Sequence, residues 1–377
     1  MNRWHNPVRL VQGPNALEAL PGLVAEAVPG GERVLLVVWG EGALAHPAFE
    51  ALRRDLGERL ETLVFPHSNP TLAQLFEAHA ALRGKGIGLV VAVGGGSTLD
   101  IGKCLARLMG EDIADTDALR ERVTSKDWGA PQCRWIGVPT TAGTGSEVTC
   151  WATVWDLERE AKRSLDTPTN YAFAAVADPA LTRTMPVGLS VSSALDAVAH
   201  ATESYWAKST NAESRALALA AIGRIMGAID GLFDEDESRR EAAREAMSEG
   251  ATLAGLAFSN THTTACHSLS YPLTLRYGIP HGVAVALLLA PVTRLNAAAC
   301  DVTPLLRAFG ADAPEDMATR VRGLLRRAGL HSHLRTWGAA EQDLPGLAAH
   351  GFTKGRADNN PVALDEAIAL ALLREIF

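Results

Sequence analysis

Uninterrupted apolar runs alternate with amphipathic stretches through the first half of the chain. RVLLVVWG (33–40) is rich in β-branched residues and ends at glycine, which predicts a buried strand. A helical stretch about HPAFEALRRDLGERL follows, then ETLVF (61–65), a second helix about 71–84, and IGLVVAVGGG (87–96). RWIGVPTTAGTG (134–145) is a further buried run entering a Gly/Thr loop, and AFAAVADP (172–179) is the last. Strands apolar along their whole length, separated by helices, imply a parallel sheet covered on both faces. After MPVGLS (185–190) helical periodicity takes over, at 191–207, 211–231, 239–258, about 262–276, 282–299, 314–328 and 362–376. The pattern divides the chain into an α/β domain, 1–188, and an all-helical domain, 189–377. Ligands of such proteins bind at the carboxyl ends of parallel strands and in clefts between domains.

Composition narrows the classes. The chain has 377 residues, enough for two domains, with 47% hydrophobic and 21% charged residues. A net charge of −8 argues against nucleic acid as a partner. Cys104, Cys133, Cys150, Cys266 and Cys300 are odd in number, scattered and without CxxC, so a disulfide framework is not expected and a reducing cytoplasm fits. The N-terminus carries no apolar signal core, and no run approaches the ~18 apolar residues of a membrane span, so no membrane partner is expected.

Two constellations carry chemistry. Asp196 and His200 stand four residues apart in SSALDAVAHATESYWA (192–207), an amphipathic helical stretch, so they project from one face. A lone pair of this kind is usually a surface hydrogen bond. With His267 and His281 it becomes an O/N/N/N set, which suits Fe(II), Zn(II), Co(II) or Ni(II) better than Mg or Ca. Separately, GGGSTLDIGK (94–103) follows the strand LVVAV and opens a helix. Its glycines let backbone approach a ligand, and the helix N-terminus favours an anion. Leu99 departs from a Rossmann fingerprint, and Ser97 and Cys104 depart from a Walker loop. The plain alternative is a glycine-rich turn with Ser97 capping the helix. VPTTAGTGSEVT (138–149) is a second Gly/hydroxyl loop after a strand, and the two together favour a cradle for a pyrophosphate and ribose.

In order along the chain, GGGSTLDIGK, PTTAGTGSE (139–147), Lys162, ADP (177–179), LDAVAHATESYWA (195–207) and HSLSYPLTLRYGIPHG (267–282) resemble the iron-containing (group III) alcohol dehydrogenase family. The resemblance implies an α/β dinucleotide-binding domain like that of dehydroquinate synthases, followed by a helical metal domain, and an NAD(P)-dependent alcohol dehydrogenase. It implies that Asp196, His200, His267 and His281 hold Fe2+, Zn2+ or another divalent metal. Gly94, Gly95, Gly96 and Ser97 would hold the cofactor pyrophosphate. Asn69, Asp100, Thr140, Thr141, Thr144 and Lys162 would line the rest of its groove. A homodimer is compatible with it.

Two departures from the family pattern matter. Where many members carry a further His four residues after the third ligand, this chain has Tyr271. Catalytic roles thus fall to His267 and Tyr271, with bound water, the cofactor ribose or solvent as other proton sources. Where many NAD-using members place an Asp after the second strand, this chain has Gly40, with Glu41 beside it. That removes repulsion against a 2′-phosphate and favours NADP(H) over NAD(H). WHNPVRLVQGPNAL (4–17), TTACHSLSYPLT (263–274) and FTKGRADNNPVAL (352–364) resemble the phosphonoacetaldehyde reductases of phosphonate-antibiotic pathways, which make 2-hydroxyethylphosphonate. Such a substrate needs cations and donors near the metal, and the candidates are Arg276, Lys354 and Arg356 with Asn260, Thr263 and Asn359. The other readings are a general group III enzyme on small neutral alcohols, a dehydroquinate synthase-like lyase, and a non-catalytic sensor. The four-ligand set and the scarcity of basic residues near it speak against the lyase.

Overall fold

The computed structural model describes residues 4–125, 128–159, 161–353 and 355–377. The chain separates into two compact units. One comprises Asn6–Thr141 and Ser146–Thr182; the other comprises Arg183–Phe377, Ala142–Gly145 and the N-terminal end of the chain.

The strands of the first unit are β1 (Arg9–Gln12), β2 (Arg33–Val38), β3 (Leu60–Val64), β4 (Ile87–Gly94), β5 (Arg134–Pro139), β6 (Trp151–Asp156), β7 (Ala161–Asp166) and β8 (Ala174–Ala177). Its helices are α1 (Leu20–Ala27), α2 (Pro47–Leu56), α3 (Leu72–Leu82), α4 (Gly96–Leu108) and α5 (Thr116–Thr124). The main sheet runs β1-β8-β5-β4-β2-β3 with every neighbouring pair parallel. The inner strands β2, β4, β5 and β8 are apolar along most of their length because both faces are buried. Leu35, Val37 and Val90 pack with Leu75 of α3 and Ile101 of α4. The alternate positions Val34, Leu36, Val38 and Val91 pack with Leu20 of α1 and Phe49 of α2.

Three features of this unit differ from the sequence reading. β1 is a short edge strand, half exposed, with too few apolar residues to stand out. β6 and β7 form an antiparallel hairpin apart from the main sheet. AKRSLD buries only Leu165, so no apolar run marked it. Ser97 does not cap α4: the N-cap is Gly95 and no side chain bonds there.

The second unit is helical among the described residues, with α6 (Val187–Trp206), α7 (Ala212–Ala228), α8 (Glu237–Phe258), α9 (Ala265–Tyr277), α10 (His281–Asn296), α11 (Thr303–Phe309), α12 (Pro314–Arg327), α13 (Leu344–His350) and α14 (Glu366–Glu375). α9 starts three residues later than its periodicity suggests, because His262 has a left-handed φ of 58°. α14 starts after Asp365, whose carboxylate accepts from the Ile368 amide. α11 and α13, each seven residues with proline in the first turn, were too short to read as periodic. By length and composition alone, the segment Ala212–Phe233 is apolar enough to cross a membrane, with mean hydropathy 1.6 in its most apolar 18-residue window, although Glu213, Arg215, Arg224 and Asp230 interrupt it. Its Ala218, Ala221, Ile222 and Ile225 are buried in the helical core.

Candidate metal centre and cofactor cradle

α6 runs for 20 residues and is buried along most of its length. Asp196, His200 and Glu203 follow one another at i, i+4 and i+7, and Trp206 closes the stripe at i+10. His267 lies in the first turn of α9, and His281 is the first residue of α10. Donor atoms of Asp196, His200 and His267 lie within 4.8 Å of one another, and all three side chains are buried. His267 Nε2 is 3.5 Å from Asp196 Oδ1, His200 Nδ1 is 3.9 Å from Asp196 Oδ2, and His281 Nε2 is 3.9 Å from Asp196 Oδ1. His281 comes in from the wetter side, with its side chain 36% exposed. A tetrahedral site with ~2.1 Å bonds sets its donors about 3.4 Å apart. Asp196 Oδ1 and His267 Nε2 are buried and make no hydrogen bond. A cation between them would satisfy both atoms, and one carboxylate with three imidazoles is a donor set that suits a borderline divalent metal.

The ligand orientations have visible causes. His200 stacks on Phe258 with ring centroids 4.2 Å apart. His267 Nδ1 is hydrogen-bonded to Glu203 Oε2. Glu203 Oε1 accepts from the Cys266 amide at 2.7 Å and from Thr264 Oγ1 at 2.7 Å. Burial raises the Glu203 carboxyl, but His267, Thr264 and the Cys266 amide together hold it below the usual carboxylate range. Burial lowers His267, yet the Glu203 and Asp196 carboxylates push it up to about 10, so a metal binding there would have to displace a proton. Glycines let the backbones meet. A Cβ on Gly282 would stand 2.0 Å from the Ser192 carbonyl oxygen of α6, and one on Gly143 would stand 2.8 Å from that of Ser193. Gly145, with φ +58°, passes so close to α8 that a Cβ would lie 2.5 Å from Gly255 Cα. Two glycines of the second Gly/hydroxyl loop are thus required by helix packing. Tyr271, one turn on from His267, is buried and stacks on His281 with centroids 5.8 Å apart.

In the first unit, the turn after β4 gathers most of the residues assigned to the cofactor. α4 begins at Gly96 without a side-chain cap, so its first amides have no intrahelical acceptor and remain available to an anion. Asn69, left-handed at φ 54°, donates its amide to Ser97 Oγ at 3.1 Å. Thr140 donates its amide to the Gly94 carbonyl at 2.9 Å, and a Cβ on Gly95 would lie 3.2 Å from Thr141 Cγ2. Gly94 serves packing, since its Cβ would sit 2.5 Å from the Thr98 side chain. Asp100 spends both oxygens inside the protein, accepting from Ser146 Oγ at 2.6 Å and from the Thr153 amide at 2.8 Å. Lys162 lies on β7 opposite Trp155, and Thr144 belongs to the segment grouped with the helical unit. Lys103, which sequence reading passed over, is fully buried and donates to Ser146 O at 2.9 Å and Trp151 O at 2.7 Å, locking the hairpin to α4.

The substrate candidates separate. Arg276 is exposed beside Gly346 at the far end of α9, about 13 Å along the axis from His267, and is not brought to the metal ligands. Asn359 Nδ2 donates to Thr261 O at 2.8 Å and to Thr263 O at 3.2 Å, while Thr263 is buried. Asn260 bonds both backbone groups of His5, at 2.8 and 3.1 Å. These two asparagines hold chain segments together. Lys354 lies outside the described residues. The segment leading to Arg356 does reach the metal helix. Ser268, next to His267, donates to Gly351 O at 2.5 Å and accepts from the Thr353 amide at 2.8 Å. Sequence reasoning missed Glu203, Ser268 and Gly282; only Glu203 carried a signal, its i+7 spacing from Asp196.

Comparison with known proteins agrees with this geometry. Residues 7–179 match the family model for iron-containing alcohol dehydrogenase, and residues 190–377 match the model for the C-terminal part of the Fe-containing alcohol dehydrogenase family. The chain is 31% identical to phosphonoacetaldehyde reductase of Streptomyces viridochromogenes over 97% of this chain and 95% of that protein. It is 30% identical to 1,3-propanediol dehydrogenase of Klebsiella pneumoniae, over 97% of this chain and 96% of that one. The crystal structure of sulfoacetaldehyde reductase from Bifidobacterium kashiwanohense in complex with NAD+ superposes with a TM-score of 0.88 at 26% identity, covering 100% of this chain and 98% of the other.

Proposed function

The chain belongs to the iron-containing alcohol dehydrogenase family, and on that premise we propose that it reduces a two-carbon aldehyde bearing a tetrahedral oxyanion, phosphonoacetaldehyde in particular, to the alcohol. It is an NAD(P)-dependent alcohol dehydrogenase. The observation that carries the finer reading is the tie of segment 351–353 to Ser268. It holds the chain that leads to Arg356 against the helix that bears His267. Similarity to two reductases of acidic acetaldehydes supports the same class of substrate.

In this reading Asp196, His200, His267 and His281 hold the metal. When bound, the metal supplies Lewis acidity to the substrate carbonyl oxygen. The uncapped start of α4 and the Asn69, Ser97, Thr140 and Thr141 turns hold the cofactor diphosphate. The reduced nicotinamide supplies the hydride. Arg356, with Lys354, binds the oxyanion and orients the aldehyde. Tyr271 Oη gives the proton to the forming alcohol.

An aldehyde panel tests this. With NADPH, kcat/KM for phosphonoacetaldehyde should exceed that for propanal at least about tenfold, with sulfoacetaldehyde between them. A charge-assisted contact contributes ~1.5–3 kcal/mol, so Arg356→Gln should lower the phosphonate value about ten- to a hundredfold and spare propanal. Tyr271→Phe should slow every aldehyde about a hundredfold or more; an unchanged kcat moves the proton to water or the ribose. Equal wild-type values for phosphonoacetaldehyde and propanal leave the general group III reading, which the likeness to 1,3-propanediol dehydrogenase favours.

Gly40 makes a second measurable point. It is extended at φ −170°, ψ 163°, and a Cβ there meets nothing within 4 Å, so Gly40→Asp should fold unchanged. The new carboxylate would repel a 2′-phosphate and bond a free 2′-hydroxyl. The ratio of kcat/KM for NADPH over NADH is expected to fall about tenfold or more. A wild-type preference for NADH, or an unmoved ratio, removes Gly40 from cofactor choice.

A further inference from the structure

We propose that Glu203 is a positioning residue for the metal centre: it holds His267 in the tautomer that leaves Nε2 for the metal. The inference rests on the metal-centre reading above and concerns a residue outside its ligand set. The Glu203 side chain is fully buried and lies on the same face of α6 as Asp196 and His200. Its Oε2 takes the hydrogen bond of His267 Nδ1. Its Oε1 is anchored from the other side by the Cys266 amide and Thr264 Oγ1, both at 2.7 Å. Thr264 Oγ1 in turn accepts from Trp206 Nε1 at 2.9 Å. The carboxylate therefore cannot swing away to find another donor.

The geometry assigns the two ring nitrogens of His267. Nδ1 is committed to Glu203 as a donor, and Nε2, 3.5 Å from Asp196 Oδ1 and without a hydrogen bond, is the nitrogen aimed at the other ligands. A neutral imidazole carries one proton, so a carboxylate on Nδ1 keeps that proton away from Nε2. The same contact makes Nε2 a better donor by pushing electron density through the ring. Because Glu203 also bonds the Cys266 amide, it sets the direction of the first turn of α9 as well as the ring it presents. One side chain of α6 thus fixes a ligand that enters from another helix.

Glu203→Gln keeps the shape and removes the charge. An amide cannot accept at both oxygen positions, so one of the bonds to His267 or to the Cys266–Thr264 side must fail. Zinc affinity measured by competition with a chromophoric chelator should weaken about ten- to a hundredfold. Nitrogen NMR of the histidine rings, recorded on the zinc-loaded proteins, should show Nδ1–H alone for His267 in wild type and a mixture of tautomers in the variant. Thermal unfolding of the metal-free proteins reports any plain loss of packing. If Glu203→Gln does not fold, Trp206→Phe and Thr264→Val loosen the anchor from behind without touching His267 and should weaken zinc a few-fold. Zinc bound within about twofold of wild type, with one unchanged His267 tautomer, overturns the proposal. A wild-type protein that binds no zinc, cobalt or iron overturns the metal-centre reading instead.

Discussion

Replacing His267 or His200 by alanine is expected to strip the metal and to lower aldehyde reduction at least about a thousandfold. Each supplies one nitrogen to a set gathered around Asp196. Removing either leaves too few donors and, at Asp196, a buried carboxylate with less to pair against. Lewis-acid stabilisation of a developing alkoxide is worth several kcal/mol, and each ~1.4 kcal/mol is a factor of ten in rate. Elemental analysis and kcat/KM should fall together. Dialysis of the wild type against a chelator should bring it to the same floor, and re-added Fe2+ or Zn2+ should restore the wild type but neither variant. Full metal occupancy in both variants would remove these residues from the ligand set.

The second large effect is expected at a residue with no chemistry of its own. Gly282→Ala should destabilise the protein and weaken metal binding at once. A methyl group there would stand 2.0 Å from the Ser192 carbonyl oxygen, and that contact is with backbone, not with a side chain that can turn aside. α10 must move off α6, and His281, the preceding residue, moves with it. Overpacking of this kind costs about 1–3 kcal/mol, or a fall of several degrees in Tm. Gly227→Ala is the control. It sits in α7 with nothing within 4 Å of a Cβ, so alanine should be neutral or stabilise by up to about 1 kcal/mol. A Tm and metal content for Gly282→Ala equal to the control would show that the α6–α10 approach is looser than the geometry implies.

Several parts of the protein were legible from spacing alone because they are local. Asp196 and His200 share a face through helical periodicity, and both are buried on α6. The apolar runs of β2, β4 and β5 announced a sheet covered on both sides, because every residue of such a strand meets a helix. The turn at Gly94–Ser97 announced a helix start after a strand, but that Ser97 does not cap it came only from the structure. β1 and β7 were not legible, since one is an edge and the other buries a single leucine, and neither breaks the polar background.

What the chain determined by itself is the set of elements and the identity of their chemical groups: period two against period 3.6, and one carboxylate with three imidazoles on three helices. Which groups meet was decided only by tertiary packing. Arg276 and His267 share a helix, yet its length sets them about 13 Å apart, whereas Ser268 draws in a segment more than 80 residues away. Glu203 reaches His267 across 64 residues, and nothing in its own neighbourhood reveals that partner. Gly143 and Gly145 read in sequence as part of a ligand-binding loop, and the structure shows them, like Gly282, where backbones of packed elements touch. The reason is the range of the forces involved. Periodicity reports the solvent boundary along one element, while steric exclusion and hydrogen-bond pairing between elements exist only once the chain has folded.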